Sequence, residues 1–247
     1  FSILDLCTLQ LSDKLTKMAI LKSIAISLFV VSIPIFYIAT NVRLVVNSEE
    51  LYSYGFDRHE ITARTGISAT ELRNAAQQII KYFNNDEEFI TVTVFHGGTE
   101  IHNLYNSREV LHMRDVKNLI KGTYKFQLLA GVYLLAFITI ILIIQRHRAM
   151  NTLAKYATIS CCTTLGLLSA SALASIVGFD RLFLAFHLVS FRNNLWQLDP
   201  RRDYLIAMFP EGFFFDATVL IAVLTALEAL ALMTPSAILI LRTRNRK

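Results

Sequence analysis

Two stretches of the sequence each place a histidine beside groups that could move protons. In "REVLHMRDVKNLI", Arg108, His112 and Asp115 are three or four residues apart, so a helix would bring them close together. A carboxylate that accepts a hydrogen bond from one ring nitrogen fixes the tautomer and makes the other nitrogen a better base. The alternative is a solvated ion-pair face on an amphipathic helix, and periodicity alone favours that alternative.

The second stretch, "FHLVSFRNNLWQLDPRRDYLIAMFPEGFFFD", combines a histidine with many aromatic rings. Phe183, His187 and Phe191 recur at helical spacing, which predicts that His187 lies on a helix with aromatic neighbours one turn away. Trp196 is typical of an anchor at the level of the lipid head groups. The stretch is too apolar for a water-exposed loop and too charged to cross a bilayer. We therefore predict that it lies at the membrane surface.

A short helix is predicted near the end of this second stretch. Asp199 is expected to cap a helix that begins at Pro200 and ends near Pro210. Its first turn would contain three charged residues: Arg201, Arg202 and Asp203. The arginines are typical partners of lipid phosphates, and a cap is the favoured role for Asp199.

Other catalytic and binding patterns do not occur in the sequence. No histidine or cysteine spacing is typical of a zinc site, and there is neither a Gly-rich phosphate loop nor a G-x-S-x-G elbow. We interpret His59, His96 and His102 as surface residues. The sequence therefore predicts no metal and no cofactor, and chemistry that depends on few groups.

The composition indicates a membrane protein, because 54% of the residues are hydrophobic and only 17% are charged. Some segments are nearly free of charge over a length that spans about 30 Å of hydrocarbon as a helix. They are residues 23–42, 126–145, 156–179 and 217–241.

Positive charge near these segments predicts their orientation. Lysine and arginine occur before the first segment, between the second and third, and at the end of the chain: Lys14, Lys17, Lys22, Arg146, Arg148, Lys155, Arg242, Arg244, Arg246 and Lys247. Because such clusters mark the cytoplasmic side, both termini are predicted to be cytoplasmic. The net charge of +5 then reflects topology and gives no argument for nucleic-acid binding.

The segment between the first two apolar segments, residues 43–125, is predicted to be extracytoplasmic and is long enough to have secondary structure of its own. Ser68 and Glu71 have the spacing of a capping box and predict a helix through "SATELRNAAQQIIKYF". The residues "EFITVTVFHGG" predict a short strand that ends in a glycine turn. Asn106 and Glu109 predict the start of a second helix, which we expect to end at Gly122.

These features predict an all-α integral membrane protein with four transmembrane helices. We expect a mixed α/β extracytoplasmic insertion between helices 1 and 2, and an interfacial or re-entrant helical segment between helices 3 and 4. The predicted parts, in chain order, are an N-terminal extension (1–17), transmembrane helix 1 (18–42), the extracytoplasmic subdomain (43–125), transmembrane helix 2 (126–145), a cytoplasmic loop (146–155), transmembrane helix 3 (156–179), the extracytoplasmic hairpin (180–216), transmembrane helix 4 (217–241) and a basic cytoplasmic tail (242–247).

Both histidine stretches carry a resemblance to a known family. The segments from Arg108 to Ile120 and from Phe186 to Phe214 resemble the two signature blocks of a bacterial family of four-span integral membrane proteins. That family includes lipoprotein intramolecular transacylase. The resemblance implies a location in the bacterial cytoplasmic membrane, with the active site at the extracytoplasmic face.

The resemblance also implies an activity. Characterised members act on bacterial lipoproteins whose N-terminal cysteine carries a diacylglyceryl group. They move the sn-2 acyl chain to the α-amine of that cysteine, which gives a lyso-form lipoprotein, and they need no cofactor. The histidines thought essential in the family correspond to His112 and His187. We therefore expect diacylglyceryl lipoproteins and membrane phospholipid as partners, and no nucleic acid.

Roles for single residues follow from the same resemblance. One histidine is expected to take the proton of the amine and the other to protonate the glyceryl oxygen, with Asp115 or Glu109 orienting His112. Arg192, Asn193 or Asn194 could polarise the ester carbonyl. The other residues expected to support the site are Arg108, Trp196, Asp199 and Asp203.

A second class of function stays open on the sequence alone. A non-catalytic membrane protein could bind a lipid or a partner through its outer segments, with the histidines as a structural pair or a pH sensor. Another enzyme that acts on lipid acyl esters would also fit. A separation of well over ~10 Å between the reactive nitrogens would exclude a mechanism that uses both histidines.

Overall fold

The computed structural model describes residues 3–245, and within the first helix it describes side chains from Lys14 onward. Most of the predicted N-terminal extension, residues 1–13, therefore has side chains outside the described part of the chain. The same holds for Arg246 and Lys247 of the predicted tail.

The chain is mostly helical. Its helices are α1 (Ile3–Val46), α2 (Glu49–Arg58), α3 (Ile61–Thr65), α4 (Ala69–Asn84), α5 (Ser107–Gln145), α6 (Ala149–Ser190), α7 (Tyr204–Met208) and α8 (Glu211–Arg244). A 3-10 turn at Arg146–Arg148 joins α5 to α6. Helices α2 and α3 were not anticipated from the sequence.

Three stretches of the described residues are long and apolar enough to cross a membrane: Lys14–Val46, Ser107–Ser190 and Glu211–Arg244. The middle stretch contains both α5 and α6. The four segments predicted to cross lie within α1, α5, α6 and α8. An apolar helix suits a bilayer because its backbone N–H and C=O groups are all paired within the helix.

Helix α4 begins as the sequence predicts, because Ser68 is its N-cap and accepts a hydrogen bond from Glu71 N at 3.3 Å. Such a cap contributes about 1 kcal/mol. The Glu71 carboxylate has a different partner from the one in a capping box, since it accepts from Phe95 N at 2.9 Å. This hydrogen bond connects α4 to the backbone of the segment around residue 95.

The predicted strand is shorter than its β-branched run suggests, and it has a partner that was not predicted. Strand β1 (Val94–His96) pairs antiparallel with β2 (Thr99–Ile101), in a register that sets Phe95 opposite Glu100. Gly97 and Gly98 form the turn with φ of +60° and +81°. Two successive positive φ values favour glycine and produce the tight hairpin.

Helix α5 starts with the predicted capping box. Asn106 Oδ1 accepts from Glu109 N at 3.2 Å, and Glu109 Oε2 accepts from Asn106 N at 2.7 Å. The expected end at Gly122 is wrong, because the helix continues to Gln145. A single glycine costs a helix only about 1 kcal/mol, which the long apolar run after it outweighs.

The start predicted for the short helix is also wrong. Asp199 Oδ1 accepts from Arg201 N at 3.0 Å, and Asp203 Oδ2 accepts from Asp199 N at 2.7 Å. These bonds close a compact turn, so α7 begins only at Tyr204, with Asp203 at its N-cap. Asp199 therefore stabilises a turn instead of capping a helix.

The chain divides into two compact units. The first contains the described residues up to Tyr37, Leu128–Leu167, and the chain from Ala226 onward. It is built from long helices, and Phe29 stacks on Phe137 in its core with ring centroids 4.4 Å apart.

The second unit contains Ile38–Gln127 and Leu168–Thr225. Its core joins the apolar face of α4 to β1, the start of α5, α7 and the first turn of α8. Helix α6 enters this unit, and its backbone leaves helical geometry at Gly178 before the segment that carries His187. All site residues predicted from the sequence belong to this unit.

Candidate active site

The two histidines come together in the second unit. His112 is on the second turn of α5 and His187 is near the end of α6, with ring centroids 6.3 Å apart and ring planes inclined by 31°. Their side chains are only 7% and 9% exposed. Because each ring nitrogen lies close to the centroid of its own ring, the reactive nitrogens are also separated by less than the ~10 Å limit for a mechanism that uses both histidines.

His187 is held in one tautomer by the backbone. Its Nδ1 lies 2.7 Å from the carbonyl oxygen of Phe183, four residues earlier in α6. Because a carbonyl oxygen can only accept, Nδ1 carries the hydrogen and donates it. Nε2 of the neutral ring therefore carries the lone pair and can take a proton.

Aromatic rings enclose His187. The ring centroids lie 4.5 Å (Phe183), 5.4 Å (Phe186), 5.7 Å (Phe191) and 4.9 Å (Trp196) from that of the imidazole. The Trp196 ring is tilted by 35° from the plane of the imidazole. His187 is therefore packed among rings of its own helix and of the segment that follows it.

His112 has a different environment. Its ring contacts Phe191 edge-on at 5.2 Å, and its buried Nδ1 has no hydrogen-bond partner in the part of the chain that the structure describes. Burial, and secondarily the nearby His187, lowers the pKa of His112 to about 4, although Asp115 acts in the opposite direction. His112 is therefore neutral at neutral pH.

Neither carboxylate expected to orient His112 is bonded to its Nδ1. Asp115 Oδ2 accepts from Asn193 Nδ2 at 2.8 Å. Glu109, only 1% exposed, accepts from Leu205 N at 2.6 Å as well as from Asn106 N. The helical spacing predicted their nearness to His112 on α5. The spacing could not show that both carboxylates accept hydrogen bonds from residues in another part of the chain, Asn193 and Leu205.

These bonds belong to a set that ties the start of α5 to residues 191–205. Arg108 donates from Nη2 to the carbonyl oxygen of Asn194, and from Nε to that of Leu195 at 3.4 Å. Asn106 Nδ2 donates to Asp203 Oδ1 at 2.8 Å. Sequence reasoning recognised Asn106 as a cap, but its bond to Asp203, 97 residues later, has no local signal.

The other predicted supporting residues lie toward the surface. Arg192 and Asn194 are exposed, Trp196 is half-buried, and Arg202 Nε lies 3.3 Å from Asp199 Oδ2. Asn193 is also exposed, and both ends of its amide are used, because Oδ1 accepts from Leu195 N at 3.0 Å. Phe191 contacts both histidines; helical spacing predicts its contact with His187, but not its contact with His112.

The remaining histidines lie apart from this pair. His102 is exposed beside Glu100, and His96 is half-buried. The interpretation of His59 and His96 as surface residues is wrong, because both are half-buried, and the ring of His59 bonds to Asp216 at 3.0 Å. Among the side chains that the structure describes, residues 14–245, no group of three or more His, Cys, Asp or Glu could hold a metal ion.

Comparison with known proteins gives a family match and three similar structures. The family model of the lipoprotein intramolecular transacylase Lit matches residues 27–214, and no curated protein matches the chain. An in meso structure of the membrane integral transacylase Lit from Bacillus cereus is 18% identical, with a TM-score of 0.69 over 92% of this chain and 99% of that one.

Two further structures are variants of the Bacillus cereus protein. One has a histidine replaced by arginine, with 17% identity and a TM-score of 0.72 over 96% of this chain. The other has a histidine replaced by alanine, with 18% identity and a TM-score of 0.71 over 94% of this chain. Each is covered over 99% of its length, so the fold is shared throughout. Since the family model spans most of the chain, this integral membrane protein is an acyltransferase that belongs to the lipoprotein intramolecular transacylase family.

Proposed function

We propose that the protein moves the sn-2 acyl chain of a diacylglyceryl-modified lipoprotein to the α-amine of the same lipoprotein's N-terminal cysteine. The product is a lyso-form lipoprotein. The observation that carries the proposal is the buried, aromatic-enclosed pair of His112 and His187, with ring centroids 6.3 Å apart, in a chain of this family. Because both reactants belong to one molecule, proximity is supplied without a second substrate.

In the proposed reaction His187 carries the proton. The neutral amine attacks the ester carbonyl carbon, and Nε2 of His187 takes a proton from the attacking nitrogen. The tetrahedral intermediate then collapses, the bond to the glyceryl oxygen breaks, and His187 returns the proton to that oxygen. An amide and a free hydroxyl are formed, and the enzyme ends in its starting state.

His112 has a separate role in this proposal. With its pKa lowered to about 4, it is not a proton carrier at neutral pH. A neutral imidazole can still donate one N–H, and we assign that donation to the carbonyl oxygen as negative charge develops there. This replaces the expectation that the two histidines divide proton uptake and release between them.

The proposed topology has four spans, with both termini in the cytoplasm and the histidine pair at the extracytoplasmic face of the bacterial cytoplasmic membrane. Positive charge between α5 and α6 and at the end of α8 supports this orientation. Membrane phospholipid would surround the exposed apolar side chains near the site, such as Leu188 and Val189. Nucleic acid has no place in the proposal, nor does a cofactor.

Mass spectrometry of a reporter lipoprotein's N-terminal peptide tests the proposal. Cells would express the wild-type protein, His112→Ala, His187→Ala or the control His102→Ala, which alters an exposed histidine. We expect an acyl group on the cysteine nitrogen and one fewer on the glyceryl, in the wild-type and control cells only. Unchanged diacylglyceryl peptides from several reporters, with correctly inserted wild-type protein, would reject the proposed reaction.

A further inference from the structure

The loop of residues 191–203 supplies two of the rings around His187, and polar bonds attach it to α5. Phe191 and Trp196 are on this loop, and no strand or helix covers residues 191–203. Asp115 and Asn193 form one attachment, and Arg108 forms a second through loop carbonyls. Without such bonds, an irregular segment has little to fix its rings in place.

The Asp115–Asn193 bond is the attachment nearest to the histidines in the sequence. Asp115 lies one helical turn after His112, and Asn193 lies two residues after Phe191. The amide of Asn193 donates to the carboxylate and also accepts from Leu195 N, the residue next to Trp196. A hydrogen bond to a charged acceptor is stronger than one between neutral groups.

We propose that Asp115 and Asn193 act as a pair of positioning residues that hold Trp196 against His187. Neither group touches the reacting atoms in this account. Asp115 does not orient His112 through a hydrogen bond to Nδ1, and Asn193 does not stabilise the oxyanion. The inference rests on the proposed function for its activity test, but not for its spectroscopic test.

Exchanging the two side chains distinguishes a positioning role for Asp115 and Asn193 from orientation of His112 by Asp115 or oxyanion stabilisation by Asn193. In Asn193→Asp, two carboxylates face each other across the 2.8 Å bond, so repulsion opens the attachment. Asp115→Asn keeps a weaker bond between two amides. The double variant, Asp115→Asn with Asn193→Asp, restores an amide donor facing a carboxylate, and residue 193 can still accept from Leu195 N.

Trp196 provides a direct readout, because it is the only tryptophan in the chain. The emission of the purified protein in detergent micelles would be measured with increasing acrylamide. We expect easier quenching in Asn193→Asp and wild-type quenching in the double variant. Asp86→Asn is the matched control, since Asp86 is fully exposed and pairs only with Lys121 among the described residues.

Activity on the reporter lipoprotein should follow the same order. Because the pair acts through Trp196, the loss should not exceed that of removing the ring, so we expect kcat to fall by up to about tenfold in Asn193→Asp, with recovery in the double variant. Unaltered quenching in Asn193→Asp, or a double variant that stays inactive, would overturn the inference. If the wild-type protein makes no N-acyl product, the proposed function fails and the quenching result alone decides the positioning role.

Discussion

The ring centroids of His187 and His112 are 6.3 Å apart, but the two rings have different hydrogen-bond partners and surroundings. His187 donates Nδ1–H to a backbone carbonyl and lies among four aromatic rings. His112 is equally buried, but its Nδ1 has no partner within the described residues, and its pKa is lowered. The backbone bond fixes the tautomer of His187, whereas burial opposes a positive charge on His112. Two residues of one type can therefore perform different steps of one reaction.

The largest effect should come from replacing His187. Neither His187→Ala nor His187→Gln has a side chain that can take a proton, so both should lose most of the about 10²- to 10⁴-fold contribution of general acid–base catalysis. Initial rates of N-acyl product formation, measured by mass spectrometry with purified enzyme, provide the comparison. If His187→Gln retained most of the activity, proton transfer by His187 would be excluded.

Replacing His112 should cost less and depend on the substitute. Loss of one oxyanion donor costs about 10²- to 10³-fold, so we expect His112→Ala in that range. His112→Gln keeps an amide N–H donor and should recover part of the loss. Equal rates for the two variants would contradict the donor role, and the same rate assay decides between the outcomes.

Trp196 tests how much the aromatic enclosure contributes. Trp196→Leu removes the face next to His187, and a cation–π contribution of about 0.5–2 kcal/mol predicts a loss near tenfold. Trp196→Phe keeps an aromatic ring and should lose less. The control is Phe95→Leu, which alters an exposed ring on β1. A rate for Trp196→Leu equal to that of the wild type would reject the role of the enclosure.

Outside catalysis, the lowered pKa of His112 predicts an effect of pH on stability. Because the folded-state pKa of His112 lies near 4, below the ordinary 6.5, its contribution to stability is complete above pH 6.5 and is lost as the pH falls toward 4. The wild-type protein should lose about 3 kcal/mol more than His112→Gln between these values. Thermal unfolding of both proteins across that pH range measures the difference, and parallel curves would show that His112 titrates normally.

Local patterns predict two helix starts correctly and fail where other interactions determine the helix ends. Ser68 and Asn106 cap α4 and α5 as expected, since a cap depends on residues three apart. The start at Pro200 failed because Asp199 and Asp203 close a turn, and Gly122 failed to end α5. In both cases a single residue is read as a helix signal, but nearby interactions are stronger. These are the hydrogen bonds of the turn at Asp199 and the long apolar run after Gly122.

In the candidate site, too, local spacing predicts contacts within a helix but not contacts with distant residues. Helical spacing placed Asp115 near His112, but Asn193, 78 residues away in the chain, takes its carboxylate. Periodicity alone favoured a solvated face for His112, whereas the ring is buried. The pairing of His112 with His187 came from family resemblance, because no spacing in the chain relates residues on two separate helices.

A crossover experiment tests the central claim most directly. One purified reporter would carry isotope-labelled acyl chains on an unlabelled peptide, and a second would carry unlabelled acyl chains on a labelled peptide. After both are mixed with the enzyme, we predict that every N-acyl group stays on the peptide that carried it as an ester. Randomly mixed labels in the N-acyl products would contradict transfer within one lipoprotein.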